Sequence, residues 1–313
     1  MSDIKLFSIN TNNQLVTELV GKYAALEKDL QVLLEANMET FLGVRLIKTE
    51  HTTGKTHSGR IDSLGLDENG CPVIIEYKRH SNENVINQGL FYLDWLLDHQ
   101  AEFQLLVMDK LGREVAEDIE WNGTRLICIA SDFNKYDEHA VQQMNRNIEL
   151  MRYRYFGDDL LLLELVNAQT ANTLTIKNLA STQKSSRSLD SGRKDTHDHR
   201  KAAADKELTA LYDLVCDYAL SLGDEVQRKE LKFYTAFKRI KNFASVQVWA
   251  PVQDPSIRLY LKLDPRHIVL QEGLIEDVSK KGHWGTGDLE VQIKSVEDFE
   301  KTKSLIELSY QEN

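Results

Sequence analysis

The chain is poor in cysteine: Cys71, Cys128 and Cys216 are odd in number and widely separated among 313 residues. That excludes a disulfide framework, and no Cys or His spacing suits a zinc site, so the thiols are expected to pack as small apolar side chains. Long apolar runs are also missing. No stretch approaches the roughly 20 residues that span a bilayer, and membrane insertion is not expected. Met1-Ser2-Asp3-Ile4-Lys5 is not followed by the apolar segment of a secretory signal, so the expected location is the cytoplasm. Positive charge is in deficit: 38 Lys and Arg against 49 Asp and Glu leave a net charge of −11. A protein that coats nucleic acid gains affinity from cations that neutralise phosphates, and this chain is no such binder. A local basic groove remains compatible with the balance, and a divalent-metal site itself requires clustered carboxylates.

What is present is a globular composition, 42% apolar and 28% charged, over a length that suits two domains. Leu15, Leu19, Leu26, Leu30, Leu33 and Leu34 have the spacing of helix faces and predict helices over 14–23 and 26–37. Strands are predicted over 44–50, 60–67 and 71–79, with Asn69-Gly70 as a hairpin turn between the last two. A helix over 85–99 follows, then Phe103 to Met108 as a buried strand, helices near Leu111 and over 141–147, and strands over 125–130 and 160–166. This alternation predicts an α/β fold over residues 1–175, a mixed sheet flanked by helices. Residues 176–205 are polar and read as a linker. Lys184, Arg187, Arg193, Lys194, Arg200 and Lys201 make it locally basic, which suits either a solvated spacer or a strap touching phosphates. Residues 206–313 are expected to form a smaller α+β domain, with helices over 207–221 and 296–310 and strands over 246–249, 257–263 and 289–293.

The stretch that carries chemistry runs from Gly59 to Arg79. If Glu68-Asn69-Gly70 is a three-residue loop with Gly70 in the left-handed conformation, Asp67 faces Cys71, and the pairing brings Asp62 opposite Glu76. Strand alternation then puts Lys78 on the face of Glu76, while Ile75 and Tyr77 point away. Two adjacent carboxylates repel, and one is driven to hold a proton unless a cation joins them. Mg²⁺ or Mn²⁺ would satisfy hard oxygen ligands and activate water, with Lys78 stabilising developing negative charge. The reaction class that fits is phosphodiester hydrolysis. Glu27, on an early helix, is a candidate third carboxylate, with Glu50 as its rival; the plainer reading of Glu27 is a solvated helix residue. Gln88 and Tyr92 share a helix face four residues apart, so either they reach a phosphate or they form a surface hydrogen bond and a core aromatic.

Asp62 followed by Glu76-Tyr77-Lys78 resembles the PD-(D/E)xK nuclease signature. Gly59-Arg60-Ile61-Asp62 with a helix-borne Glu27 is similar to the NucS and RecB-like branches, and Gln88 with Tyr92 resembles the motif that follows the lysine in RecB-like nucleases. Ile61 stands where the pattern has proline. The resemblance covers about residues 20–170. It implies a restriction-endonuclease-like fold and a Mg²⁺- or Mn²⁺-dependent DNA nuclease, with Glu27, Asp62, Glu76, Lys78, Gln88 and Tyr92 catalytic and the three carboxylates as metal ligands.

Residues 232–239 and 282–289 resemble a domain of unknown function that often follows such nuclease-like domains, in chains that look like parts of bacterial anti-phage defence or DNA processing. In 282–287, His283 and Trp284 offer rings on which a nucleobase could stack, and Lys232, Lys238, Arg239 and Lys241 add positive charge; a turn and a solvated surface are the plainer readings. Nothing in the residues separates DNA from RNA, and no interface signature marks the homodimer that would cut two strands. The alternative to an enzyme is a catalytically silent fold that binds or senses nucleic acid.

Overall fold

The computed structural model describes residues 4–54, 58–79, 85–171, 196–251 and 253–313. It opens on a two-stranded hairpin, β1 (Leu6–Asn10) and β2 (Leu15–Leu19), where leucine spacing predicted a helix. Local chemistry explains the correction: the Asn10 and Asn13 side chains accept from the Asn12 and Leu15 backbone N–H groups at 3.0 and 3.1 Å and so fix the turn. The expected second helix forms as α1 (Glu27–Ala36), after the short β3 (Gly21–Lys22).

From there the chain runs α2 (Met38–Leu42), β4 (Val44–Thr52), β5 (Arg60–Asp67), β6 (Pro72–Lys78), α3 (Val85–Asp98), α4 (Gln100–Leu111), α5 (Arg113–Glu117), β7 (Arg125–Ala130), α6 (Lys135–Gln142), β8 (Asn147–Phe156) and β9 (Leu160–Gln169). The strands build one mixed sheet in the order β3-β8-β7-β6-β5-β4, with β9 paired to β8. β6, β7 and β8 are mutually parallel, and the flanking pairs are antiparallel. Leu30 and Leu34 of α1 pack on Val73, Ile75 and Tyr77 of one sheet face. On the other face, Leu93, Trp95 and Leu96 of α3 and Phe103 and Val107 of α4 pack on Ile74, Leu126 and Leu150. The expected mixed sheet flanked by helices is therefore what the chain forms.

Three further elements depart from the sequence reading. Phe103 to Met108 is helical, because Phe103 and Val107, four apart, are the buried pair while Leu105 and Met108 face solvent. β8 has no continuous apolar run to announce it, since Glu149 and Arg152 interrupt Ile148, Leu150 and Met151 and are themselves buried. The helix expected over 141–147 ends at Gln142 and begins at Lys135, where the Asn134 side chain caps the Tyr136 and Asp137 N–H groups.

The C-terminal part comprises α7 (His197–Ala203), α8 (Lys206–Ser221), β10 (Gln227–Glu230), β11 (Thr235–Lys238), β12 (Asn242–Trp249), β13 (Ser256–Leu261), β14 (Ile275–Asp277), β15 (Leu289–Ile293) and α9 (Val296–Glu312). Its sheet is antiparallel, in the order β10-β11-β12-β13-β15-β14, and α8 and α9 cover one face through Val215, Phe299 and Ile306. Lys184, Arg187, Arg193 and Lys194 lie outside the described residues. Arg200 and Lys201, expected in a polar tether, instead belong to folded α7, where buried His197 bonds Thr235 Oγ1 at 3.0 Å and Lys201 pairs with Glu230 at 3.0 Å. Among the described residues, no helix is long and apolar enough to cross a membrane.

The two parts meet through buried charge. Glu149 lies 2.7 Å from Lys238 and 3.4 Å from Arg125, and Arg125 also pairs with Asp67. Burial alone would raise the Glu149 carboxyl, but Lys238, Arg125 and Lys229 together hold it at about 2. The β5–β6 turn is gripped beside this cluster: Glu68 pairs with Lys262 and accepts from the Asn242 N–H, and Asn69 accepts from the Tyr234 hydroxyl at 3.0 Å.

Candidate active site

The turn of the β5–β6 hairpin fixes everything at its other end. Gly70 has φ +72, the Asp67 N–H donates to the Cys71 carbonyl, and the Gly70 N–H donates to the Asp67 carbonyl, closing the three-residue loop. The register then runs Leu66↔Pro72, Gly65↔Val73, Leu64↔Ile74 and Ser63↔Ile75. The next step is Asp62 with Glu76, and there side chains replace the backbone ladder: Glu76 Oε1 accepts from the Asp62 N–H at 3.2 Å, and Asp62 Oδ2 accepts from the Tyr77 N–H at 3.1 Å. The strands part at that point, and the two carboxylates fill the opening.

α1 supplies the third acid. Glu27, at its first position, receives the Lys78 ammonium at 3.4 Å and the Arg79 N–H at 3.1 Å. One turn on, Gln31 donates to the Asp62 carbonyl at 3.1 Å and to Glu35 at 2.9 Å, and Glu35 accepts from the Ser63 hydroxyl at 2.6 Å. α1 is thus bolted to β5 at two successive residues. Sequence reading missed Gln31, Glu35 and Ser63; the available signal was that Glu27, Gln31 and Glu35 recur every fourth residue, on one helix face. Glu50, the rival of Glu27, is engaged elsewhere by Lys28 and by Arg60 at 3.3 Å.

The electrostatics are those of a strained acidic cluster. Glu76 is fully buried, and its carboxyl is pushed up to about 9, first by burial and then by Asp62. Asp62 is raised by burial against the pull of the Tyr77 N–H and Lys78. Burial works to lower Lys78, but Glu27 and Asp62 outweigh it and hold the ammonium above its ordinary value. Glu76 Oε2 is buried without a hydrogen-bond partner. Such an orphaned oxygen next to a second carboxylate is what a hard cation would satisfy, so the donor set fits Mg²⁺ or Mn²⁺. Among the described residues no three His, Cys, Asp or Glu side chains form a ready-made metal cluster.

Gln88 and Tyr92 bond each other, and Tyr92 bonds the start of β5. Tyr92 is buried, receiving Gln88 Nε2 at 3.2 Å and the Arg60 N–H at 3.1 Å, so it anchors the start of β5. Gly59 lets it do so: a Cβ there would sit 2.4 Å from the Tyr92 ring.

Of the residues expected to hold nucleic acid, Lys232, His283 and Trp284 line one cleft, whereas Lys238 and Arg239 lie elsewhere. Lys238 is buried against Glu149 at the junction and cannot meet a phosphate, a correction whose cause is the unforeseen β8 carboxylate. Arg239 pairs with Glu225 at 3.1 Å and lies over the Tyr310 ring. His283 stacks on Tyr260, and Trp284 stacks on Phe233 beside Lys232.

A family model described as Domain of unknown function (DUF5655) matches residues 196–313. An uncharacterized protein of Haemophilus influenzae is 28% identical over 295 residues, which cover 93% of this chain and 95% of that protein. Among solved structures, the crystal structure of a repair endonuclease from Pyrococcus abyssi is 20% identical with a TM-score of 0.28, over 42% of this chain and 48% of that one. An EndoMS–dsDNA complex is 18% identical with a TM-score of 0.25, over 42% of this chain and 47% of its own. The match spans about half the length of each of these two solved chains. Likenesses this distant leave the function to be read from the site's own residues.

Proposed function

We propose that the site at the open end of the β5–β6 hairpin hydrolyses phosphodiester bonds of DNA with a divalent cation. The observation that carries this reading is the meeting of Asp62, buried Glu76 and Lys78 at the point where side chains take over the backbone ladder. A fold needing only to bind phosphates has no physical reason to set two carboxylates where they repel both each other and the ligand. Asp62 and Glu76 would hold Mg²⁺ or Mn²⁺, which when bound would lower the pKa of water and neutralise phosphate charge.

The chain's own groups have distinct parts. Glu76, whose carboxyl is raised to about 9, would have to give up its proton to hold the cation. Lys78 stays charged, being flanked by acids, and presents its ammonium to the negative charge that develops on the phosphate. Glu27 orients that ammonium through the 3.4 Å contact, and Gln31 holds the β5 backbone at Asp62. Gln88 and Tyr92 act as a brace for β5. The C-terminal part keeps the hairpin turn in place through Lys262, Asn242 and Tyr234, and so would serve the site by fixing the register of the hairpin.

Incubating the protein with single- and double-stranded DNA in Mg²⁺ or Mn²⁺ tests this. Cleavage that needs the cation and disappears in Asp62→Ala and in Lys78→Ala, with thermal unfolding unchanged in cooperativity, is expected. Undiminished cleavage in both variants refutes it.

A further inference from the structure

We propose that the cleft between α5 and the 231–234 and 283–285 segments binds an arginine-bearing peptide segment of a partner protein. The cleft has a volume of about 470 Å³, and its walls differ in kind. One is an aromatic platform: Phe233 and Trp284 stack with ring centroids 3.9 Å apart and planes inclined by 21°. The Trp284 backbone is held, its carbonyl accepting from Gln247 Nε2 at 2.9 Å, so the platform is fixed before a ligand arrives. The rest of the lining is acidic, with Glu114, Glu117, Asp118 and Glu120 on and just after α5; Glu117 pairs with Arg113 at 2.6 Å and Glu120 accepts from the Lys232 N–H at 3.3 Å. Arg45 and Lys232 alone among the lining residues carry a fixed positive charge.

Charge complementarity selects the occupant. Carboxylates in a row repel phosphate, so nucleic acid is disfavoured despite the half-buried aromatic pair. A guanidinium suits both walls, because it lies flat on an aromatic ring and offers paired N–H donors to carboxylates. The platform already attracts a cation from within the chain, since Lys232 Nζ lies 5.3 Å from the Phe233 ring centre. Carboxylates spread from 114 to 120 call for several cations along a segment rather than one small amine. This site is independent of the phosphodiester reading.

The test is fluorescence anisotropy of the full chain with a labelled, acetylated and amidated Arg-Gly-Arg-Gly-Arg peptide. Its glutamate counterpart and a short oligothymidine are the comparison arms. The arginine peptide is expected to bind and to weaken by about tenfold or more when salt rises from about 50 to 500 mM. A similar loss of about tenfold is expected in Trp284→Ala and in the double variant Glu117→Gln, Glu120→Gln, whose amides preserve shape and hydrogen bonding. The double variant decides the matter if Trp284→Ala disturbs its loop. Absence of arginine-peptide binding, equal binding in the double variant, or oligothymidine as the ligand that Trp284→Ala loses would each overturn the proposal.

Discussion

Replacing Glu76 by glutamine should make the protein more stable at neutral pH. The Glu76 carboxyl is buried beside Asp62 and held at about 9, against an ordinary 4.5. The folded protein thus binds this proton more tightly than the unfolded chain. Its contribution to stability is complete below about pH 4.5 and is lost, at about 1.4 kcal/mol per pH unit, as pH rises towards 9. At pH 7 the loss amounts to about 3 kcal/mol. Glutamine keeps the shape, cannot ionise, and so should gain about that much over the native protein at pH 7 and almost nothing at pH 4.5. Urea unfolding of both proteins at half-unit steps between these pH values, without divalent cations, gives the difference directly. A pH-independent difference, or a destabilised glutamine variant at pH 7, would refute the reasoning.

Other outcomes follow from the same geometry. Lys238→Ala should destabilise the chain by about 3–5 kcal/mol in denaturant unfolding, because it strips buried Glu149 of its nearest cation. Gln31→Ala, which frees the β5 backbone at Asp62, should weaken Mn²⁺ binding by about 10–100-fold in calorimetry while leaving the core intact. His197 is driven down to about 4 by burial and then by Lys201; its neutral form therefore contributes stability that is present above about 6.5 and lost as pH falls towards 4, up to about 3 kcal/mol. His197→Asn should lack that acid-sensitive component in unfolding measured over the same range.

The placement of Asp62 beside Glu76 was legible in the sequence because it depends on counting. A three-residue loop with Gly70 at its end fixes the register, and the register alone carries Asp62 to Glu76. What was not legible depends on partners distant in the chain. Phe103 to Met108 is short enough to fit a strand or a helix, and only packing of Phe103 and Val107 under the sheet decides for the helix. β8 was hidden by Glu149 and Arg152, which are charged in sequence and buried in space, with partners such as Lys238 lying 89 residues away. The same contact removed Lys238 from the surface on which composition had placed it. At the N-terminus, leucine spacing lost to the two asparagines that fold the chain back into a hairpin.

The most direct test of the account is the number of protons released when Mn²⁺ binds, measured by calorimetry at pH 7 in buffers of different ionisation enthalpy. Since Glu76 holds its proton until about pH 9, binding to Asp62 and Glu76 should release close to one proton, and Glu76→Gln should release none. Mn²⁺ binding without proton release, or undiminished binding in Asp62→Ala, would contradict it.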